Sequence, residues 1–163
     1  MKSFLFACGT RDVTASVGIL ALRLIFGLMM LFGHGLPKLK NFKAILDNKQ
    51  KDFPTPDFFP LNWMSEAVSL GSAVATEVGA SILIIIGLST RWAAFGLGFT
   101  MVVAAFFVLN QAPWFFSPGV SSAKELALLY LAAMIGLILT GPGRYSIDAM
   151  IDKPRKGRMK ISL

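Results

Sequence analysis

Ionisable side chains inside long apolar runs are where this chain could do chemistry, and Glu77 is the most exposed to that argument. It lies in Ala73-Val74-Ala75-Thr76-Glu77-Val78-Gly79-Ala80, within the second of four apolar stretches. A carboxylate there falls near mid-bilayer, where burying a charge costs roughly 2.5 to 3.5 kcal/mol and such groups face a bundle interior with a partner or mark a site. The expected partner is Arg23 in the first stretch. At 1.5 Å per residue Arg23 sits roughly 9 Å inside one end of its helix and Glu77 roughly 16 Å inside the same end of its own, a gap a long side chain closes. Two readings follow. The pair is structural and fixes helix register, or Glu77 carries a proton or receives a polar ligand head while Arg23 holds its charge state.

A second polar layer is expected at the other helix ends: His34 and Lys38, Glu66, Asn110 and Gln111, then Lys124 and Glu125. Helix ends are where charges reach water, which suffices for Glu66 and Lys124. His34 stands apart, because it precedes Gly35 in an apolar run and is of the type that titrates near neutral pH; it is a proton shuttle or a hydrogen-bonded structural residue. With one histidine and one cysteine the chain has no bis-histidine haem ligation, four-cysteine cluster, disulfide or CxxC pair. It also lacks a GxGxxG or P-loop. No metal or covalent cofactor is therefore expected. Gly141-Pro142-Gly143 ends an apolar run instead of opening a helix after a strand, so it reads as a helix stop and not a phosphate cradle.

The elements that must position these groups follow from hydropathy. The chain has 163 residues, of which 55% are hydrophobic, and a mean hydropathy of +0.64. A hydrocarbon core about 30 Å thick needs about 20 mostly apolar residues per helix. Four segments qualify, at about 17–36, 65–88, 92–109 and 123–140. The expected fold is all-α, an integral membrane four-helix bundle forming a single domain over 1–163, with an outer loop at 37–64 and a basic cytoplasmic tail at 149–163. Small residues four apart (Gly71, Ala75, Gly79; Gly96, Thr100, Ala104; Ala132, Gly136, Thr140), and likewise Gly27, Met29, Met30, Gly33 and Gly35 on the first helix, predict close helix approach and permit a homo-oligomer, although methionines also line adaptable apolar pockets.

With alternating helices, Lys2, Arg11, Arg91, Arg144, Lys153, Arg155, Lys156, Arg158 and Lys160 share one side, against Lys38, Lys40, Lys43, Lys49, Lys51 and Lys124 on the other. The positive-inside rule then puts both termini in the cytoplasm. Trp63, Trp92, Trp114 and Tyr145 fall at helix ends, as interfacial aromatics do. The net charge of +7 suits a tail lying on anionic lipid, with no nucleic-acid role. Three prolines in Phe53-Pro54-Thr55-Pro56-Asp57-Phe58-Phe59-Pro60 exclude a regular helix, and the four aromatics from Phe53 to Trp63 suggest an interfacial flap, either an anchor or a lid. The apolar run before Cys8 is too short for a lipoprotein signal, so the first helix is expected to act as an uncleaved anchor.

Several of these residues fall into a familiar order. Arg23 in the first helix, Gly35-x-x-Lys38, Glu77-x-Gly79 with Gly87-Leu88-x-Thr90-Arg91, Lys124-Glu125-Leu126-Ala127, and Gly141-Pro142-Gly143-Arg144-Tyr145-Ser146-Ile147-Asp148 together resemble the DoxX family of small bacterial and archaeal membrane proteins, from about Val17 to Met150. The resemblance implies a four-helix bundle associated with quinone-linked oxidoreductase systems, such as thiosulfate:quinone oxidation, or with complexes handling thiols or oxidative stress. The expected protein is thus a multi-pass subunit of the cytoplasmic (inner) membrane that binds a quinone or similar lipid-soluble molecule between its helices while an oxidoreductase partner subunit carries the electrons. Arg23 and Glu77 would make the deep contact. His34, Lys38, Lys124 and Glu125 would form the mouth and proton path. Two other classes stay open: a small proton-coupled transporter in which Glu77 alternates between proton and cargo, although no inverted repeat is visible, and a structural or assembly subunit without catalysis.

Overall fold

The computed structural model describes residues 9–10, 12–47, 63–120 and 122–152. The run before Cys8, the Phe53 to Pro60 segment and the basic tail from Lys153 onward lie outside the described residues. Among the described residues every regular element is a helix: α1 Val13–Lys40, α2 Phe42–Asp47, α3 Glu66–Ile86, α4 Thr90–Val108, α5 Glu125–Thr140 and α6 Ile147–Ile151. Helices α1, α3 and α4 are each long and apolar enough to cross a membrane. The fourth apolar segment is shorter than a full span, since α5 has 16 residues, about 24 Å of helix. Gly141, with φ of 77°, ends it.

Helix α1 is one continuous rod whose buried face follows helical spacing, through Ser16, Ile19, Arg23, Gly27 and Met30. Its other face is apolar and outward, with Phe32 63% exposed, and Leu139 of α5 is 74% exposed. An exterior this greasy is at home against lipid tails. Asp12 starts α1, its Oδ1 accepting from the Ala15 N–H at 2.8 Å; satisfying such orphan donors is what a helix cap does. The far end differs from expectation. The first apolar segment is expected to end at about residue 36, but Leu31–Gly35 winds as a π-helix, with the Leu36 N–H reaching back to the Leu31 carbonyl. Proline is tolerated in the first turn of a new helical stretch because its missing N–H is not needed there. The helix therefore runs on to Lys40 and carries Lys38 into the bundle.

Helix α3 closes on Gly87 (φ 72°), with the Gly87 and Leu88 N–H groups both bonding to the Leu83 carbonyl at 2.9 Å. This left-handed ending satisfies carbonyls that the helix leaves orphaned. After only Leu88 and Ser89, α4 begins. Its first donors are capped from a distant part of the chain: the Asp148 carboxylate accepts from Ser89 N at 2.8 Å and Thr90 N at 3.0 Å. The Asp148 N–H in turn donates to the Gly87 carbonyl at 2.9 Å. A buried carboxylate suits that position, facing the positive end of a helix dipole.

The most extensive interface joins α4 to α5, and α1 packs along the C-terminal half of α3. Close backbone approach occurs at two of the glycines expected on the first helix, Gly27 and Gly35, and not at Gly33 or the glycines of the other stripes. A Cβ at Gly71, Gly79 or Gly136 would meet open space, whereas one at Gly27 would lie 2.6 Å from Ile85 Cγ1 and one at Gly35 2.9 Å from Val78 Cγ2. Four-residue spacing makes a small stripe but does not say which way it faces. The contact that needs glycine is α1 against α3.

These positions predict opposite outcomes for one substitution. Gly136→Ala fills open space and removes helical glycine, so the melting temperature of the detergent-solubilised protein should hold or rise, in line with a helix propensity gain of up to about 1 kcal/mol. Gly87→Ala forces a side chain into left-handed backbone and against Arg23, and should lower stability by more than about 1 to 2 kcal/mol. Equal melting temperatures for the two variants would contradict this assignment.

Candidate functional site

Arg23 is 1% exposed, and its guanidinium is consumed by backbone. Nε donates to the Ile84 carbonyl at 2.8 Å and Nη2 to Ile85 at 2.8 Å. Nη1 donates to Pro142 at 2.9 Å and Tyr145 at 2.8 Å. The first two acceptors belong to the last turn of α3, where regular intrahelical donors run out, although Ile84 also receives the Gly87 N–H at 3.2 Å; the others lie in the 141–146 connection after α5. Asp148 acts electrostatically on the same group. A Cβ at Gly87 would come within 2.4 Å of Arg23 Nη2, so this glycine is needed for its backbone and for the room it leaves. The expected Arg23–Glu77 pair is not formed. Helix depth alone could not show that Arg23 points toward the α3 terminus.

Glu77 pairs instead with Lys38, Nζ to Oε1 at 2.5 Å. The carboxylate is 3% exposed, and among the described residues its Oε2 has no hydrogen-bond partner. Glu77 stands in a second π segment, Ala75–Ala80, directly against the first. A third, Ala104–Val108, ends α4. Such segments insert a residue into the ladder and often occur at functional sites. His34 feels the charges of both Glu77 and Lys38, and its ring meets Tyr130 edge to face with centroids 6.0 Å apart. Tyr130 meets Phe26 in the same manner at 5.6 Å.

Two cavities flank the ion pair. One, of about 480 Å³, lies between α3 and α4, walled by Phe99 and Val103 and dotted with the hydroxyl residues Ser69, Ser72, Thr76 and Thr100. The other, of about 320 Å³, lies among α1, α4 and α5 and includes Met30, His34, Met101, Phe116 and Tyr130. Lys38, Glu77, Ala104 and Val108 line both. Mostly apolar walls with a few convergent polar groups are the usual composition of a small-molecule site.

The remaining candidates are placed elsewhere. Lys124 is buried, donates to the Asn110 carbonyl at 2.9 Å and sits 5.0 Å from the Trp114 ring centroid. Glu125 accepts from the Phe116 N–H at 3.1 Å. Together they pin the connection between α4 and α5, and neither lines the two cavities. They hold Phe116 and Ala123 in the wall and do not themselves form a mouth. Sequence reasoning passed over Tyr130 and Asp148. Tyr130 is a polar-tipped ring in the middle of the fourth apolar segment, a signal as visible as that of His34. Asp148 was part of the quoted motif, but its role as a cap for α4 depends on a contact across 58 residues.

A family model described as DoxX matches residues 18–110, more than half of the chain. The chain belongs to the DoxX family. It is also 27% identical to an uncharacterised protein of Haemophilus influenzae, over 94% of this chain and 97% of that one. A second uncharacterised H. influenzae protein is 39% identical over 44% of this chain. The inner membrane protein YqjF of Escherichia coli K12 is 35% identical over 49% of this chain. The chain spans about half the length of these last two relatives, 54% and 59%. No solved structure matches. The DoxX match ends before α5 begins, but it encloses Arg23, His34, Lys38 and Glu77, and thus the ion pair with both its π segments. The DoxX chain is accordingly a multi-pass membrane protein.

Double-mutant cycles on thermal stability separate the two polar nodes. Lys38→Met and Glu77→Gln should show an interaction energy of about 1 kcal/mol or more, as residues in one ion pair do. Arg23→Gln combined with Glu77→Gln should be additive within about 0.5 kcal/mol. Coupling between Arg23 and Glu77 as strong as that between Lys38 and Glu77 would be incompatible with this arrangement.

Proposed function

We propose that this DoxX-family protein is a bacterial inner-membrane subunit that binds a quinone or a similar lipid-soluble redox molecule beside the Lys38–Glu77 pair, and that a partner oxidoreductase carries the electrons. The observation behind this reading is a buried, incompletely satisfied ion pair bordering two apolar cavities. Intramembrane charges of this kind mark ligand or proton paths by default. The larger cavity is of a size that ligand sites commonly have, about 300 to 1,000 Å³. Its wall residue Phe99 is exposed on the outside of the bundle, which suits a ligand arriving from the lipid.

The chemistry of the residues fits a carbonyl-bearing ring. Lys38 has three N–H donors, one of them committed to Glu77, and His34 has ring nitrogens of its own. Lys38 can donate to a quinone oxygen from either cavity, with Phe99 and Val103 against the ring in the larger one, and His34 can donate in the smaller one beside Met101. Arg23 has no part in this contact, since four of its five N–H donors are engaged by backbone carbonyls around the C-terminal end of α3; it positions α3, from which Glu77 projects. The single histidine and single cysteine of the chain do not make a haem ligand pair or a dithiol, so electron transfer falls to the partner. Both termini lie in the cytoplasm on this reading, as the basic residues favour.

Lipid extracts of protein purified gently from its own membrane should contain quinone at roughly one per chain. Thr100→Trp, which fills the larger cavity, should lower that amount at least several-fold with little change in melting temperature. A wild-type protein that retains none, and takes up no added short-chain quinone, would end the proposal.

A further inference from the structure

We infer that this site prefers the reduced, hydroxyl-bearing form of its ligand, and that Glu77 Oε2 is the atom that selects it. The inference rests on the quinone-type reading above. It goes further by naming the oxidation state recognised.

The ion pair is asymmetric. Lys38 satisfies Oε1 of Glu77 at 2.5 Å, and Oε2 of the same buried carboxylate accepts nothing among the described residues. A carboxylate engaged by an ammonium has acceptor capacity and no donor to offer. An unmet acceptor of this kind asks for an O–H or N–H from whatever occupies the cavity wall that Glu77 shares with Lys38. An oxidised quinone head presents acceptors alone: it can bond to Lys38 or His34 but can give Oε2 nothing. A dihydroxy aromatic head presents a donor at each oxygen. One hydroxyl can donate to Oε2 while its lone pairs still receive Lys38.

The surroundings make the difference count. The walls around Glu77 are mostly apolar, and a hydrogen bond to an ionised group is stronger than a neutral one and shorter. Leaving a buried acceptor unsatisfied costs its full desolvation, which is why sites built to bond a hydroxyl reject analogues lacking it. Tyr130 and His34 stand on the smaller cavity's side of the pair, and Thr76 and Thr100 on the larger one's. All of these can bond to either form of the ligand, so the discrimination falls on Glu77. The expected preference is about tenfold in affinity. For a two-electron couple a tenfold preference raises the bound midpoint potential by about 30 mV.

The test is equilibrium binding of decylubiquinol and decylubiquinone to the full-length protein in nanodiscs under anaerobic conditions, with decylubiquinol dimethyl ether as a third ligand. Decylubiquinol should bind about tenfold tighter than the quinone, and the dimethyl ether, which keeps the ring and tail but has no O–H, no tighter than the quinone. Glu77→Gln should reduce the tenfold difference between quinol and quinone to about twofold or less. The ether comparison uses unaltered protein, so it stands even if the Glu77 variant does not fold. Equal affinity for the three ligands overturns this inference and leaves the ligand class intact. Absence of binding by all three overturns the parent reading with it. An equal loss of quinol and quinone affinity in a folded Glu77→Gln assigns that residue to structure and also overturns the selection proposed.

Discussion

One buried guanidinium organises one end of this bundle. In hydrocarbon there is no water to satisfy a backbone carbonyl, so a helix that ends within or near the membrane needs donors from elsewhere in the protein. Arg23 supplies them. Its planar fork of donors joins two carbonyls from the last turn of α3 to two from the 141–146 connection, so that three parts of the chain far apart in sequence meet on one side chain. Asp148 completes the arrangement by capping α4 and by its charge opposite Arg23. The order Gly87, Asp148 and Gly141-Pro142-Gly143 in the sequence thereby has a single physical explanation: a left-handed turn with no side chain, a carboxylate, and a connection that turns its carbonyls inward.

With that end secured, the Lys38–Glu77 pair is free of a structural duty that Arg23 already performs. The choice of residue matters. An arginine engages a carboxylate through both oxygens in a rigid fork, whereas lysine is a compact charge on a flexible stem. Lys38 meets one oxygen of Glu77 and leaves the other unmet, and its side chain remains 31% exposed at the cavity margin. A bidentate arginine here would have made a closed and inert pair. A buried ion pair is in itself weak evidence of stabilisation, and the half-satisfied geometry is what motivates the proposed ligand contact.

The spans were legible because hydropathy and length are strong signals, and the family was legible because its residues occur in order. The pairing of charges was not. A rise of 1.5 Å per residue gives depth along a helix but no rotation about it, and Arg23 was matched with Glu77 on depth alone. Lys38 falls in the outer layer on depth along the first helix, and nothing in Leu31-Phe32-Gly33-His34-Gly35 announces a π segment. The glycine stripes failed for a related cause. Spacing marks Gly71, Gly79 and Gly136 as readily as Gly27 and Gly35, and only packing reveals that the close contact lies at the latter two. Lys124 and Glu125 were recognised as a pair of charges at a helix start, which is where they are, but their bonds to Asn110 and Phe116 are invisible without the fold.

The π segment in α1 accounts for how one helix serves both packing and site. The buried face advances from Ser16 to Ile19, Arg23, Gly27 and Met30 in steps of three and four, then takes five residues to reach Gly35. One inserted residue turns everything after it by about 100°. Without the insertion, the position four after Met30 would meet α3, and that position is His34. The gap at this contact leaves 2.9 Å between a Cβ at Gly35 and Val78, which no imidazole could enter. The extra residue therefore puts Gly35 against α3 and turns His34 toward Tyr130 and the smaller cavity. It also removes the hydrogen-bonding demand at Pro37, so that the helix continues far enough for Lys38 to reach Glu77. The irregular winding thus lets Gly35 pack on α3 while His34 turns toward Tyr130 and Lys38 reaches Glu77 at the same depth.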